Sequence, residues 1–131
     1  MAKLGFRKHR LAAIMATVAL CASLTTVFGT PAQAVSCAGP SNRPNGEGYL
    51  LTYASVPLRT GPYGECSTIS HIPTDRLFWI HCNWTNIYGN HWMYGRVGGT
   101  STYGWVYLNT DVEYRWQDEN ENGYQDYKWC S

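Results

Sequence analysis

Short apolar runs recur along the second two thirds of the chain, with apolar residues tending to alternate and with Gly, Pro, Asn and Asp between the runs. "YLLTYA" (49–54), "VPLRT" (56–60), "RLFWIHC" (76–82), "HWMYGRV" (91–97), "YGWVYL" (103–108) and "VEYRW" (112–116) carry the branched and aromatic residues that suit a pleated, half-buried surface, and they predict six strands. "TGPYGE", "IPTD", "NIYGN", "GGTST" and "NTD" supply the turns. No segment sustains apolar residues at 3.6-residue spacing, so the pattern predicts an all-β domain, a small barrel or sandwich.

Alternation also divides the side chains between two faces. Phe78, Ile80 and Cys82 fall on one side of their strand, and Leu77, Trp79 and His81 on the other. Met93, Gly95 and Val97 oppose Trp92, Tyr94 and Arg96; Val106 and Leu108 oppose Trp105 and Tyr107. Aliphatic residues are therefore expected inside, and rings with polar tips outside.

The N-terminal residues have a different character. Lys3, Arg7, Lys8 and Arg10 precede the apolar run "LAAIMATVALCASLTTVFG", and Ala32, Gln33 and Ala34 form an A-x-A site, so residues 1–34 read as a secretory signal peptide. Its removal would leave a chain starting at Val35, with a polar arm over 35–48, the strand-rich body over 49–116, and an acidic turn and tail over 117–131. Whole-chain net charge is +1, but only six of the ten Lys and Arg follow residue 34, together with all nine Asp and Glu, which makes that part −3. A net-acidic domain without a basic run does not suit nucleic acid, where affinity rests on neutralising phosphates. With the signal cleaved, nothing is left to hold the chain in a membrane. The expected product is an extracellular monomer.

Cys21 leaves with the signal, and Cys37, Cys66, Cys82 and Cys130 remain. Export and an even count predict two disulfides, which a domain this small needs to supplement its core. Three pairings are open. The one expected is Cys66–Cys82, between neighbouring strands, with Cys37–Cys130 pinning the two ends. A zinc site is the weaker alternative, since no C-x-x-C pair is present.

"LRTGP" (58–62), then a short strand and turn, "RLFWIHC", "HWMYGRVGGT" and "YGWVYLN" occur in the order of the bacterial SH3-like (SH3b) domains. Trp92 with Arg96-Val97, Gly104-Trp105-Val106 and Leu108 match the Trp-x-x-Val and Gly-Trp-Val positions of that family. The resemblance covers about residues 49–113. It implies a small SH3-like barrel of five to seven strands, here in a secreted variant stapled by disulfides, and a binding rather than a chemical role toward cell-wall peptide or glycan.

Rings are the first functional candidates. Six Trp, ten Tyr and one Phe follow residue 34, more than so small a core can hide. Tyr63, Trp84, Tyr88, Trp92, Tyr94 and Tyr103 are expected to form a docking surface for sugar rings or peptide. "DENENGYQD" (118–126) is the second candidate. Asp118, Asn120, Asn122 and Asp126 place hard oxygens at loop spacing, the Tyr124 carbonyl adds one more, and Gly123 allows the sharp turn, so the segment can be read as a calcium loop lacking the closing Glu. His71, His81 and His91 have no free nucleophile to work with, and Glu47, Glu65, Asp75, Asp111 and Glu113 show no pairing, so no enzyme is expected. The partner is then a cell-wall polymer or, in the second reading, an extracellular protein bound by an inhibitor, matrix or coat component.

Overall fold

The computed structural model describes residues 34–131, so the signal-peptide reading lies outside the described residues except at Ala34. Seven strands and no helix make up this part: β1 Tyr49–Thr52, β2 Val56–Arg59, β3 Thr68–Ile72, β4 Leu77–Thr85, β5 His91–Val97, β6 Tyr103–Tyr107 and β7 Val112–Arg115. The seven strands pair with one another antiparallel, in the order β3-β2-β6-β5-β4-β1-β7, and an isolated parallel bridge joins Asn83 of β4 to Trp129. The all-β class is as the alternation implies. The sheet is not closed, and β3 and β7 are its edges. It nevertheless wraps one core, because the buried aliphatic cluster draws on every strand, from Ile72 on β3 to Val112 on β7.

The six predicted strands form. The seventh, β3, carries "TISHI", of which only Ile72 is buried; as an edge strand with Ile69 exposed it gives a weak apolar signal, and its place between "LRTGP" and "RLFWIHC" is that of the short strand in the SH3b motif order. The inner face is the expected one: Leu50, Leu58, Phe78, Ile80, Met93 and Val106 meet in the core. Thr52 is buried among them with its hydroxyl satisfied, donating to the Pro73 carbonyl at 2.7 Å and accepting from the Arg76 amide at 3.0 Å.

Two expectations need correction. The disulfides are Cys37–Cys66 and Cys82–Cys130, with Cα separations of 5.6 and 5.2 Å, not Cys66–Cys82 and Cys37–Cys130. The cause is the strand order: Cys66 lies in the loop between β2 and β3, and β6 and β5 stand between β2 and β4, so Cys66 and Cys82 are not on neighbouring strands. A β-bulge also changes the face that Cys82 occupies. Ile80 pairs with Gly95 and Cys82 with Tyr94, which leaves His81 as the extra residue. From there the alternation of β4 is inverted, and Cys82 joins the ring-bearing face rather than sharing a side with Phe78 and Ile80.

That outer face is the second correction. It is not left open. Trp105 is fully buried, Trp92 is 4% exposed, and with Cys82 and Cys130 they form a second core against which Trp84 and Tyr94 pack. The polar arm and the tail cover it. Arg43 lies over the Tyr94 ring at 4.5 Å and the Trp105 ring at 5.7 Å, held by donating to the carbonyls of Pro40 and Ala38. The arm crosses directly above Gly61, where any Cβ would strike the Cys37 backbone; this explains the break that "LRTGP" makes after β2. Tail residues 128–130 run alongside β4, with the Asn83 amide donating to the Lys128 carbonyl and the Cys130 amide to that of Asn83. Arm and tail also join each other through reciprocal bonds between Asn42 and Ser131. Two disulfides indicate an oxidising environment. Among the described residues no helix is long and apolar enough to cross a membrane.

Candidate functional site

A cleft lined by rings, amides and a guanidinium lies where β2 and β6 part. Their ladder has a single pair, Arg59 with Trp105. Pro57, with no N–H, can donate to neither neighbouring strand. Beyond that pair the strands splay, leaving a cavity of about 240 Å³ lined by Val56, Pro57 and Arg59 on one side and by Trp92, Tyr107 and Asn109 on the other, with Gly64 and Asn90 at its rim. Trp92 and Tyr107 are cross-strand partners with ring centroids 5.3 Å apart and planes tilted by 41°. The Arg59 guanidinium is positioned by donating to the Cys66 carbonyl at 2.8 Å, on the loop that the first disulfide anchors. The cleft thus offers aromatic surface, two side-chain amides and one fixed cation, the composition of a pocket that orients a ligand by a few polar contacts.

Asn86 organises the rim. It is buried, its Oδ1 accepts from the amides of Tyr88 and Asn90, each at 3.0 Å, and its Nδ2 donates to the Pro62 carbonyl at 3.0 Å. One side chain therefore shapes the β4–β5 turn and ties it to the loop after β2. Ile87 and Tyr88 project at the tip of that turn, 64% and 55% exposed.

The rings singled out from sequence are not brought into one site. Trp92 is largely buried, with an edge on the β2–β6 cleft. Tyr63, also buried, and Trp84, partly buried, line a separate cavity of about 370 Å³ beside the arm. Tyr88 leans on Tyr63 with its centroid 5.9 Å away. Tyr94 lies beneath Arg43. Tyr103, 42% exposed, lines a third cavity at the far end of the outer face.

Tyr107, Asn109 and Asn90 were not singled out, although the sequence holds a signal for Tyr107. If the hairpin turning at "GGTS" is counted back from Arg96 opposite Tyr103, Trp92 falls opposite Tyr107. Asn90 and Asn109 follow from no period, because they sit in turns.

The acidic segment folds as one turn. Asp118 accepts from the amides of Asn122 (3.1 Å) and Gly123 (2.7 Å), Asn120 from that of Asn122 (3.0 Å), and Asn122 from that of Tyr124 (2.7 Å). The Asn120 amide group reaches Asp126 at 3.4 Å. The four side chains expected to hold calcium are thus gathered; the oxygens of Asp118, Asn120 and Asn122 are turned to backbone amides, as Asn- and Asp-rich turns do by themselves, while Asp126 faces the Asn120 side chain and Lys128. Buried Glu47 fastens the turn from below, accepting from the amides of Asn120 and Asp126. Among the described residues no group of three or more His, Cys, Asp or Glu is placed to hold a metal ion.

His81, the bulge residue, sits edge-on to Tyr103 at 5.4 Å and to Tyr94 at 6.1 Å. Burial, and then the nearby charge of Arg96, pull its pKa below the ordinary value for an imidazole. Both effects favour the neutral ring.

Comparison with protein-family models, with curated proteins and with solved structures finds no match to this chain.

Proposed function

We propose that this protein is an exported, non-enzymatic binding module that takes an extended, largely uncharged polymer, a cell-wall peptide or glycan, into the cleft between β2 and β6. The cleft itself carries this reading: a Trp–Tyr pair beside two amides and one anchored guanidinium suits a chain with apolar faces and hydrogen-bonding edges. Among the described residues no carboxylate or imidazole lines it, so it offers contacts rather than proton transfer. The motif order resembling SH3b domains supports the same reading, and an SH3-like arrangement of the wrapped sheet belongs to the proposal. The signal-like N-terminus and the two disulfides support export.

Co-sedimentation with purified peptidoglycan tests this. The wild-type protein is expected in the pellet, and Tyr107→Ala is expected to weaken retention about tenfold, the equivalent of about 1.4 kcal/mol, while the melting temperature changes little because that ring is partly exposed. Retention unaffected by Tyr107→Ala would remove the cleft from the account. A second reading, docking to an extracellular protein, rests on the projecting Ile87–Tyr88 tip. It predicts no retention on peptidoglycan and capture only by a protein ligand.

Calcium in the 118–126 turn is an accessory part of the proposal. Millimolar calcium should then raise the melting temperature through preferential binding to the folded state, and Asp118→Asn should abolish the rise. An unchanged melting temperature takes the ion out of the account.

A further inference from the structure

The third cavity, about 710 Å³, has a different chemistry from the β2–β6 cleft. One wall is a row of cross-strand neighbours on the outer face: Trp79 on β4 pairs with Arg96 on β5, and Arg96 with Tyr103 on β6. A cation therefore sits between two aromatic side chains. Arg96 is positioned by donating from Nη1 to the Thr100 carbonyl at 2.9 Å. Tyr103 is steadied by His81, edge-on, and by Tyr94, whose ring lies within 23° of parallel at 6.3 Å. The opposite wall comes from the acidic turn, with Asp118, Glu119 and Glu121.

These opposite charges share a cavity without closing on each other. Among the described residues the ion pairs are Arg115–Glu113 and Lys128–Asp126; none joins Arg96 to the acidic turn. Both Asp118 oxygens are occupied by backbone amides, whereas Glu119 and Glu121 make no side-chain hydrogen bond to the described residues. Because burial and Arg96 keep His81 neutral, Arg96 is the one cation on its wall at neutral pH. Ring surface, one cation and facing carboxylates held apart from it are complementary to a ligand that carries both charges at a separation.

We propose that this cavity is a second binding site, for a short peptide with a free carboxylate and a free ammonium. The carboxylate meets Arg96, the ammonium meets Glu119 and Glu121, and the body of the peptide lies on Trp79 and Tyr103. Treated as a cube the cavity is roughly 9 Å across, close to roughly 10 Å for three extended residues. Three carboxylates against one guanidinium favour a ligand with net positive charge. The site is independent of polymer retention in the β2–β6 cleft, since the two share no lining residue.

Isothermal titration of the disulfide-bonded protein at low salt tests the proposal with three probes: Ala-Ala-Lys with free ends, its C-terminal amide, and its form acetylated at both amines. The free tripeptide is expected to bind tightest, and each blocked form about fivefold or more weaker, as loss of a charge-assisted contact implies. Arg96→Gln is expected to erase the preference for acid over amide and to keep the preference for free amine. Glu119→Gln combined with Glu121→Gln is expected to do the reverse, and Tyr107→Ala to change neither. Equal binding of the three probes, no binding of the free tripeptide, or preferences that survive in these variants would overturn the proposal. Should Arg96→Gln fail to fold, the three probes on the wild-type protein decide by themselves.

Discussion

Trp105→Ala is expected to destabilise the protein by about 3–5 kcal/mol, the usual cost of removing a fully buried Trp. At this domain size that lowers the melting temperature by roughly 15–35 °C. Trp105 is the centre of the second core: the Tyr94 ring lies 5.2 Å away, the Arg43 guanidinium is above it, and a Cβ added at Gly39 of the arm would stand 3.1 Å from its ring. Alanine would therefore open a cavity beneath the arm as well as in the sheet. The Trp105 indole N–H is buried without an acceptor, so Trp105→Phe, which removes that donor and keeps a ring, should cost less, within about 2 kcal/mol. Tyr124→Ala is the control, since Tyr124 is 75% exposed and should leave melting unchanged. A Trp105→Ala protein that melts like the wild type would mean the outer rings are a docking surface after all.

Replacing Cys82 and Cys130 together by Ser is the second large effect. The bridge joins residues 48 apart in sequence, for which chain-entropy arithmetic gives about 4 kcal/mol. The loss is also local. The tail is paired to β4 around Asn83, so hydrogen exchange at the amides of Asn83 and Cys130 should accelerate well beyond that in β5 and β6. Cutting Cys37–Cys66, 29 residues apart, should cost slightly less by the same arithmetic and should loosen the arm and the loop that positions Arg59. If the two losses had the same exchange pattern, arm and tail would not be separate covers over separate parts of the face.

Much of the fold was legible because alternation reports burial directly. Leu50, Leu58, Phe78, Met93 and Val106 are inside, as their phase requires. The phase stops being readable at His81. A bulge adds one residue without changing composition, so nothing in "RLFWIHCNW" shows that Cys82 has crossed to the other face. The mistaken disulfide pairing has another source: it takes Cys66 and Cys82 to be on neighbouring strands, whereas β6 and β5 lie between β2 and β4, an order that no local pattern reports. The ring-rich face was also legible as a face, but its fate was decided by residues 35–48, a polar segment rich in Gly and Pro, and 128–131, which is only four residues long; neither carries a period to mark it as a cover. They cover through backbone hydrogen bonds, a guanidinium over rings and two sulfur bridges, none of which is an apolar signal. The clefts were partly hidden for a related reason: Asn90 and Asn109 are turn residues, and Arg96 gains meaning only from its cross-strand neighbours Trp79 and Tyr103.

Peptide mapping under non-reducing conditions tests most directly whether the outer rings are a second core latched shut by the arm over 35–48 and the tail over 128–131. The account predicts cross-linked fragments joining Cys37 to Cys66 and Cys82 to Cys130. Fragments joining Cys66 to Cys82 and Cys37 to Cys130, or unpaired thiols at these positions, would contradict it.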